Sequence, residues 1–286
     1  MPAICILIPA EDYEEDWSVL KTDYQRLFGD AVAFRRWTEP GDLSEFDLVS
    51  PLIAWGYHRD CALWFQLLDR MEAEDVVMCN PVSVLRWNSD KSYLAELGTA
   101  GVATVPTLVS DALDQTALDR ARATFDTQEL VVKPPVSGGA DSTFRLAANE
   151  PLPESVMGKR MMIQPFLPSI ATEGEYSLFY FGGVFSHSII KRPAAGDFRV
   201  QDQFGGYEQA VVAPAAAKAL AQSALTATAR ITRTDVLAYA RVDMLRDGDS
   251  NFRLMELELI EPSLFLRFAN DKGAAFAKAM MARCVQ

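Results

Sequence analysis

The sequence predicts a mixed α/β fold, in which a small N-terminal parallel α/β unit precedes a longer, strand-rich α+β region. Over about the first 80 residues, apolar strand-like segments alternate with helix-like segments, a pattern typical of parallel sheets. From Leu130 onward, short apolar strands follow one another closely, as in an α+β region. The chain of 286 residues is long enough to bury a sizeable core without disulfides.

The N-terminal unit is predicted to begin with a buried strand over Ile4–Ile8. Apolar residues from Trp17 to Leu27 then recur at helical spacing, and Gly29 ends that helix. The other predicted elements of this unit are strands over 32–37, 47–54 and 76–79 and a helix over 61–71. The sequence contains no G-x-G-x-x-G motif, so a Rossmann dinucleotide site is not expected.

Asn80-Pro81 interrupts the pattern, and two short helices are predicted after it, the second over 90–97. Strands are then predicted over 104–109, 130–134, 142–146, 160–166, 176–181 and 184–191. A long helix over 213–232 follows. Strands over 237–245 and 252–260 are predicted to form a hairpin, because Asp247-Gly248 lies between them. A helix over 270–283 closes the chain.

Composition excludes several classes of function. Lys and Arg total 27 and Asp and Glu total 39, and the net charge of −12 disfavours nucleic acid and anionic membranes as partners. The 4 cysteines form no C-x-x-C pair, which predicts reduced thiols in a cytoplasmic protein. The apolar N-terminus lacks a basic segment, so it is interpreted as a strand and not as a signal peptide. No apolar stretch has the length of a membrane span.

The two histidines, His58 and His187, lie far apart in the sequence, so a His-based zinc site is not expected. The sequence contains neither a G-x-S-x-G elbow nor a G-x-x-x-x-G-K-[ST] loop. Any metal should therefore be held by carboxylates, which favours Mg²⁺ or Mn²⁺.

Four separated features suggest one chemical site. The first is the segment Asn88–Lys91. The second is Lys133 at the end of an apolar strand, followed by the Gly-rich loop Ser137–Ser142, whose backbone N–H groups can approach phosphate closely. The third is the strand Met161–Leu167 with Glu173 and Glu175 just beyond it.

The fourth feature is a set of carboxylates on the predicted hairpin. Glu256 and Glu258 alternate along one strand and therefore point to the same face. Asp243 lies on the partner strand, close to Arg241, and can face them. Three converging carboxylates together with nucleotide phosphates would form a hard-oxygen Mg²⁺ site. By the same alternation, Glu261 is expected on the opposite face.

From Asn80 to the C-terminus, the chain resembles the ATP-grasp superfamily of carboxylate–amine ligases. The segment Glu256-Leu-Glu258-Leu-Ile-Glu261-Pro262 is similar to the metal-binding strand of that family, with the spacing of the bacterial glutathione synthetase branch. One difference is that Glu258 stands where the second ligand is usually asparagine. A carboxylate is also a hard oxygen ligand, so the site is retained.

A closer resemblance is to the small cyclo-ligases of D-cycloserine biosynthesis, which close O-ureido-D-serine into a ring. The stretches that carry it are 87–94, 164–169, 185–188 and 256–265. The resemblance implies an N-terminal pre-ATP-grasp domain over 1–85 and an ATP-grasp domain over 86–286. The latter divides into subdomains of about 86–166 and 167–286 that sandwich ATP between them.

The resemblance also implies roles for individual residues. Lys91 and Lys133 would contact the ATP phosphates, and Ser137, Gly138 and Gly139 belong to the mobile loop over the γ-phosphate. The hinge that reads the adenine edge would consist of Gln164, Pro165, Phe166 and Leu167. Either Glu173 or Glu175 would bind the ribose. Lys191, Arg192 and Arg241 would act in catalysis, and Asp243, Glu256 and Glu258 would bind Mg²⁺ or Mn²⁺.

The implied reaction is an ADP-forming carbon–nitrogen ligation. ATP phosphorylates a carboxylate or a ureido-type carbonyl of a small amino-acid-like substrate, and an amine-type nucleophile then expels phosphate. Trp55, Tyr57, His58 and Arg59 are candidates for substrate contact. The alternatives left open are a ligase that adds an amino acid to a peptide or protein tail and a non-catalytic nucleotide-binding module. A homodimer is the expected oligomer.

Overall fold

The computed structural model describes residues 2–148 and 150–284. The strands are β1 Ile4–Ile8, β2 Val32–Arg36, β3 Leu48–Ser50, β4 Leu108–Ser110, β5 Leu130–Lys133, β6 Phe144–Leu146, β7 Met161–Pro165, β8 Glu175–Phe181, β9 Val184–Arg192, β10 Tyr207–Ala210, β11 Tyr239–Arg246 and β12 Phe252–Glu258. The α-helices are α1 Ser18–Phe28, α2 Cys61–Ala73, α3 Val82–Ser89, α4 Tyr93–Thr99, α5 Gln115–Phe125, α6 Ser169–Thr172, α7 Ala215–Thr232 and α8 Ala274–Met281. The predicted mixed α/β class is confirmed.

The N-terminal sheet is parallel, as predicted, with the strand order β2-β1-β3. The predicted strand over 47–54 is only three residues long, because Pro51 follows Ser50 and cannot donate a ladder hydrogen bond. The predicted strand over 76–79 is wrong: this segment pairs with β3 only through an isolated bridge between Val49 and Met78.

A second, antiparallel sheet has the strand order β4-β7-β5-β6. Helix α5 packs on it through Leu118 and Ala121, which share a core with Leu130 and Ile163. The sequence analysis missed this helix, although Asp114 caps it by accepting a hydrogen bond from the backbone N–H of Ala117 at 2.7 Å.

The third sheet is also antiparallel, with the strand order β10-β9-β8-β11-β12, and α7 packs on one face of it. The predicted hairpin is confirmed, since β11 pairs with β12 and Asp243 lies opposite Glu256. A shift in register follows directly, between Asp243 and Met244. The two strands of this hairpin carry the predicted carboxylates: Asp243 on β11, and Glu256 and Glu258 on β12.

The N-terminal unit and the third sheet share a core that includes Ile4, Phe181 and Phe276. The fully buried Asn80 also connects them: its side-chain amide donates to the carbonyl oxygens of Tyr239 and Leu259 at 3.0 and 2.9 Å. These contacts hold the first sheet at one end of the third. The domain boundary at residue 85 stays a prediction. Within the described residues, no helix has the length and apolarity needed to cross a membrane.

Candidate active site

A cavity of about 740 Å³ lies where the three sheets approach one another. Most of the residues that the sequence analysis assigned to a site line it: Lys91, Lys133, Ser137, Gly138, Gly139, Gln164, Pro165, Phe166, Leu167, Glu175, Lys191, Arg241, Glu256 and Glu258. The substrate candidates Trp55, Tyr57, His58 and Arg59 line it as well. The fold thus brings together segments that are far apart in the sequence.

Three predicted site residues do not line the cavity. Glu173 faces away from it, accepting hydrogen bonds from the Tyr176 hydroxyl at 2.6 Å and from Arg246 Nε at 3.1 Å. Arg192 ends β9 beside the cavity. Asp243 is buried behind the cavity wall with 1% of its surface exposed.

One end of the cavity is apolar. Phe166 and Leu167 share a cluster there with Val131, Val200 and Met255, and the Phe166 ring contacts the Phe198 ring edge-on at 6.1 Å. This end can accept a flat, apolar group between the second and third sheets. The side-chain amide of Gln164 is already engaged, since its Nε2 donates a hydrogen bond to Thr107 Oγ1 at 2.8 Å.

Lys91 and Lys133 are both buried, but they differ in their partners. Lys91 Nζ lies 3.3 Å from Glu256 Oε1; burial would lower the pKa of Lys91, but Glu256, Glu261 and Glu258 raise it. Burial lowers the pKa of Lys133. Among the described residues, the ammonium of Lys133 makes no ion pair or side-chain hydrogen bond, although only 8% of the residue is exposed. A buried, unpaired cation at a cavity wall is a binding group for an anion.

The Gly-rich loop crosses the cavity between these two lysines and the N-terminal unit. A Cβ atom on Gly138 would lie 2.9 Å from the His58 ring, so this close approach requires glycine. Burial lowers the pKa of His58 to about 4, so the ring is neutral at pH 7. On the other side, Gln203 Nε2 donates to the Gly139 carbonyl oxygen at 3.2 Å. The loop therefore lies over the cavity and contacts both walls.

A network of buried ion pairs forms the floor of the cavity. Lys191 pairs with Glu175 and lies 3.3 Å from Asp243, while Arg241 binds Asp243 at 2.8 Å and also pairs with Glu258. Burial would raise the pKa of Asp243, but Arg241 and Lys191 lower it to about 2. Burial, with Asp243 and Glu256 nearby, raises the pKa of Glu258 to about 7 despite Arg241.

The same network decides which carboxylates are available to a metal ion. Among the described residues, no group of three or more His, Cys, Asp or Glu side chains is gathered closely enough to hold a metal ion. Of the predicted ligands, Glu256 and Glu258 line the cavity, whereas Asp243 is held by Arg241 and Lys191. The two carboxylates that face the cavity, Glu256 and Glu258, are hard oxygen donors, the ligand type that Mg²⁺ and Mn²⁺ prefer when further oxygen ligands complete the set.

Glu261 was predicted on the opposite face from Glu256 and Glu258, and this prediction is wrong. Strand β12 ends at Glu258, the chain bends at 260–261, and Glu261 lines the same cavity. Its burial, with Glu258 nearby, raises its pKa to about 8. The segment 198–204 also lines the cavity and was missed, because it has no periodic pattern from which its position could be predicted.

No protein-family model matches the chain. Cycloserine biosynthesis protein DcsG of Streptomyces lavendulae is 32% identical over 257 residues, which cover 85% of each chain. A crystal structure of D-cycloserine synthetase DcsG covers 99% of both chains, with a TM-score of 0.83 and 28% identity. D-alanine–D-alanine ligase of Bacillus anthracis, in complex with ATP, shares the fold at a TM-score of 0.72 and 17% identity, covering 100% of this chain and 98% of that one. With the cavity described above, these similarities show that the chain belongs to the ATP-grasp ligases, which are ATP-dependent and form ADP.

Proposed function

We propose that this ligase phosphorylates a carboxylate or a ureido-type carbonyl of a small amino-acid-like substrate and joins it to an amine-type nucleophile, either in a second molecule or within the same molecule as in a cyclo-ligase. The observation that carries the proposal is Lys133, whose buried ammonium lies at the wall of the cavity and has no partner in the part of the chain that the structure describes. Lys91, Lys191 and Arg241 supply further positive charge within that cavity. An anion as highly charged as ATP suits this arrangement.

The proposed position of ATP follows from the polarity of the cavity. The adenine would lie at the apolar end against Phe166 and Leu167, and the phosphates between Lys91, Lys133 and the Gly-rich loop. Both candidates for the ribose pair with a cation, Glu175 with Lys191 and Glu173 with Arg246, but of the two it is Glu175 that lines the cavity, which favours Glu175. The volume is typical of a small-molecule site.

Glu256 and Glu258 would hold Mg²⁺ or Mn²⁺, and the ion would neutralise phosphate charge when bound. Asp243 would act beneath them by holding Arg241 and Lys191 in place. Both cations would thereby be directed towards the transferring phosphoryl group. We propose no contact for Arg192, which lies outside the cavity.

The proposed reaction has two steps. A substrate oxygen attacks the γ-phosphorus of ATP, the bond to the bridging oxygen breaks, and ADP leaves. The amine nitrogen then attacks the activated carbon, expels inorganic phosphate and loses a proton to solvent. The Gly-rich loop, which contacts both walls, would keep water from the phosphorylated intermediate.

The test is to incubate the protein with ATP, Mg²⁺ and panels of substrates while ADP and phosphate are measured. One panel contains small ureido and carboxylate amino acids, with and without a separate amine, and a second contains peptides with free termini. ADP release with a single small substrate supports a cyclo-ligase, and release only with peptides supports the peptide ligase. ATP binding without ADP release in any mixture would favour a non-catalytic module.

Lys133→Ala is expected to weaken ATP binding by about 1.5–3 kcal/mol, because it removes a charge-assisted contact to phosphate. The variant should fold normally, since no partner of the lysine within residues 2–148 and 150–284 would be left unpaired. Isothermal titration calorimetry measures the change, with Lys278→Ala on the exposed side of α8 as the matched control. Equal ATP affinity of the two variants would exclude Lys133 from the nucleotide site.

The loop Ser137–Ser142 is expected to exchange its amide hydrogens quickly without nucleotide and slowly with ATP. Gly138 and Gly139 lower the cost of its motion, and the loop contains no apolar residue larger than Ala140 to anchor it. Hydrogen exchange followed by mass spectrometry measures this, with the buried strand β8 as an internal reference. Slow exchange of the loop in both states would contradict a nucleotide-dependent closure.

A further inference from the structure

Strand β12, which carries Glu256 and Glu258, lies at the edge of its sheet. Its inner side pairs with β11, and on its outer side Leu254 exchanges backbone hydrogen bonds with Ala103 and Val105. Beyond Leu254, among the described residues, no backbone pairs with the outer side of the segment that carries the two glutamates. Unpaired groups at a sheet edge must be satisfied by other means where water is excluded. The position of the two glutamates therefore depends on whatever covers this edge.

Two buried side chains cover the part of this edge that carries the glutamates. The Tyr93 hydroxyl accepts a hydrogen bond from the Leu257 backbone N–H at 2.8 Å and donates to the Leu257 carbonyl oxygen at 2.9 Å. Asn88 Nδ2 donates to the same carbonyl oxygen at 3.0 Å, and Asn88 Oδ1 accepts from the Leu259 N–H at 3.0 Å. Only 5% of Asn88 and 2% of Tyr93 are exposed. Together they take the place of a neighbouring strand.

These hydrogen bonds bracket the two carboxylates. Leu257 lies between Glu256 and Glu258, and Leu259 directly follows Glu258. Successive residues of a strand point to opposite faces, so fixing the backbone at Leu257 and Leu259 sets the directions of the side chains between and beside them. A loosened edge would let both glutamates change direction.

The segment 88–93, which contains Asn88 and Tyr93, also holds the Gly-rich loop. The backbone N–H of Lys91, which lies between Asn88 and Tyr93 in the sequence, donates to the Pro135 carbonyl oxygen at 2.8 Å. This hydrogen bond fixes the segment to the residues that lead into the Gly-rich loop. The segment is itself anchored, because Trp64 Nε1 donates to Ser89 Oγ at 2.9 Å. Residues 88–93 therefore set the strand with the carboxylates and the Gly-rich loop relative to each other.

We propose that Asn88 and Tyr93 are positioning residues that act through the backbone of β12 to direct Glu256 and Glu258 towards the divalent cation and the nucleotide. The identity of the ligand, a divalent cation with ATP, rests on the proposed function. The positioning itself rests on the hydrogen bonds that Asn88 and Tyr93 make to β12. A purely structural role would affect stability alone. A positioning role also changes the affinity for the cation, because partners that orient ligands typically contribute about 10- to 100-fold to metal affinity.

The test uses Tyr93→Phe, which keeps the ring and removes both contacts to Leu257. Mn²⁺ binding is measured by electron paramagnetic resonance in the presence of a non-hydrolysable ATP analogue. We expect the dissociation constant for Mn²⁺ to rise about tenfold. Amide exchange measured by NMR should become faster at Leu257, and in Asn88→Ala it should become faster at Leu259.

Two controls separate positioning from stability. Tyr24→Phe removes a buried hydroxyl that has no hydrogen-bond partner among the described residues. Val156→Ala weakens the core beneath the second sheet, away from the cavity. Both should leave Mn²⁺ affinity at the wild-type value. If Tyr93→Phe lowered thermal stability but left Mn²⁺ affinity unchanged, the positioning inference would be overturned. Absence of Mn²⁺ binding to the wild-type protein would instead overturn the proposed metal site, and the inference with it.

Discussion

Glu256→Gln is expected to lower turnover by about two to three orders of magnitude, an effect of the size seen when a group that stabilises transition-state charge is lost. The variant removes a negative charge from the cavity wall, where Glu256 lines the cavity with Glu258 and Glu261. The fold should be retained, because repulsion between carboxylates decreases and the amide can still accept a hydrogen bond from Lys91. The measurement is the rate of ADP formation with the substrate identified by the panels.

The controls for this experiment separate charge from position. Glu154→Gln removes an exposed carboxylate outside the cavity and should leave turnover unchanged. Glu258→Asn should lower turnover less than Glu256→Gln does, since ATP-grasp ligases usually have asparagine at that position. Circular dichroism and thermal melting confirm that each variant is folded. If Glu256→Gln turned over at the wild-type rate, Glu256 would not be a ligand of a catalytic divalent cation, and most of the catalytic proposal would be refuted.

Arg241→Met is expected to destabilise the protein by about 3–5 kcal/mol at neutral pH, as removal of one partner from a buried ion pair does. Arg241 is 8% exposed, and it is the main counter-charge of Asp243, which is 1% exposed. Without Arg241, Asp243 would keep its ion pair with Lys191, and Glu258 would lose its ion pair with Arg241. The variant should also be inactive. Chemical denaturation measures the free energy of unfolding.

The loss of stability in Arg241→Met is expected to be larger at pH 7 than at pH 5. In the wild type, the pKa of Asp243 is depressed to about 2, so its stabilising contribution is present above its usual pKa and is lost as pH falls towards 2. In Arg241→Met, that pKa should rise because the main counter-charge is missing. The deficit in stability relative to wild type should therefore shrink as the pH is lowered from 7 to 5 and the buried carboxyls become protonated.

The matched control is Arg35→Met, which breaks the exposed pair between Arg35 and Glu45. Exposed pairs contribute about 0–1 kcal/mol, so the control should lose little stability at either pH. Equal losses in the two variants would contradict the view that the pair of Arg241 and Asp243 is a buried, strongly interacting one. The comparison thus tests the floor of the cavity independently of catalysis.

The elements around the candidate site could be predicted well where local periodicity carries the information. Alternation along β12 predicted that Glu256 and Glu258 share a face, and both line the cavity. The Asp247-Gly248 turn predicted the hairpin, which places Asp243 opposite Glu256. The prediction for Glu261 failed because alternation was extended beyond the end of the strand, where the chain bends at 260–261.

The sequence by itself determined the ATP-grasp family, the mixed α/β class, the hairpin and the shared face of Glu256 and Glu258, because these depend on motifs and on spacing within one element. Only the tertiary structure decided that Asp243 lies beneath Arg241, that Glu175 and not Glu173 lines the cavity, and that Lys133 has no partner among the described residues. It also decided that Tyr93 bonds a backbone 164 residues away. Contacts at such separations arise when whole elements pack together, and the spacing of residues along one strand or helix holds no record of them.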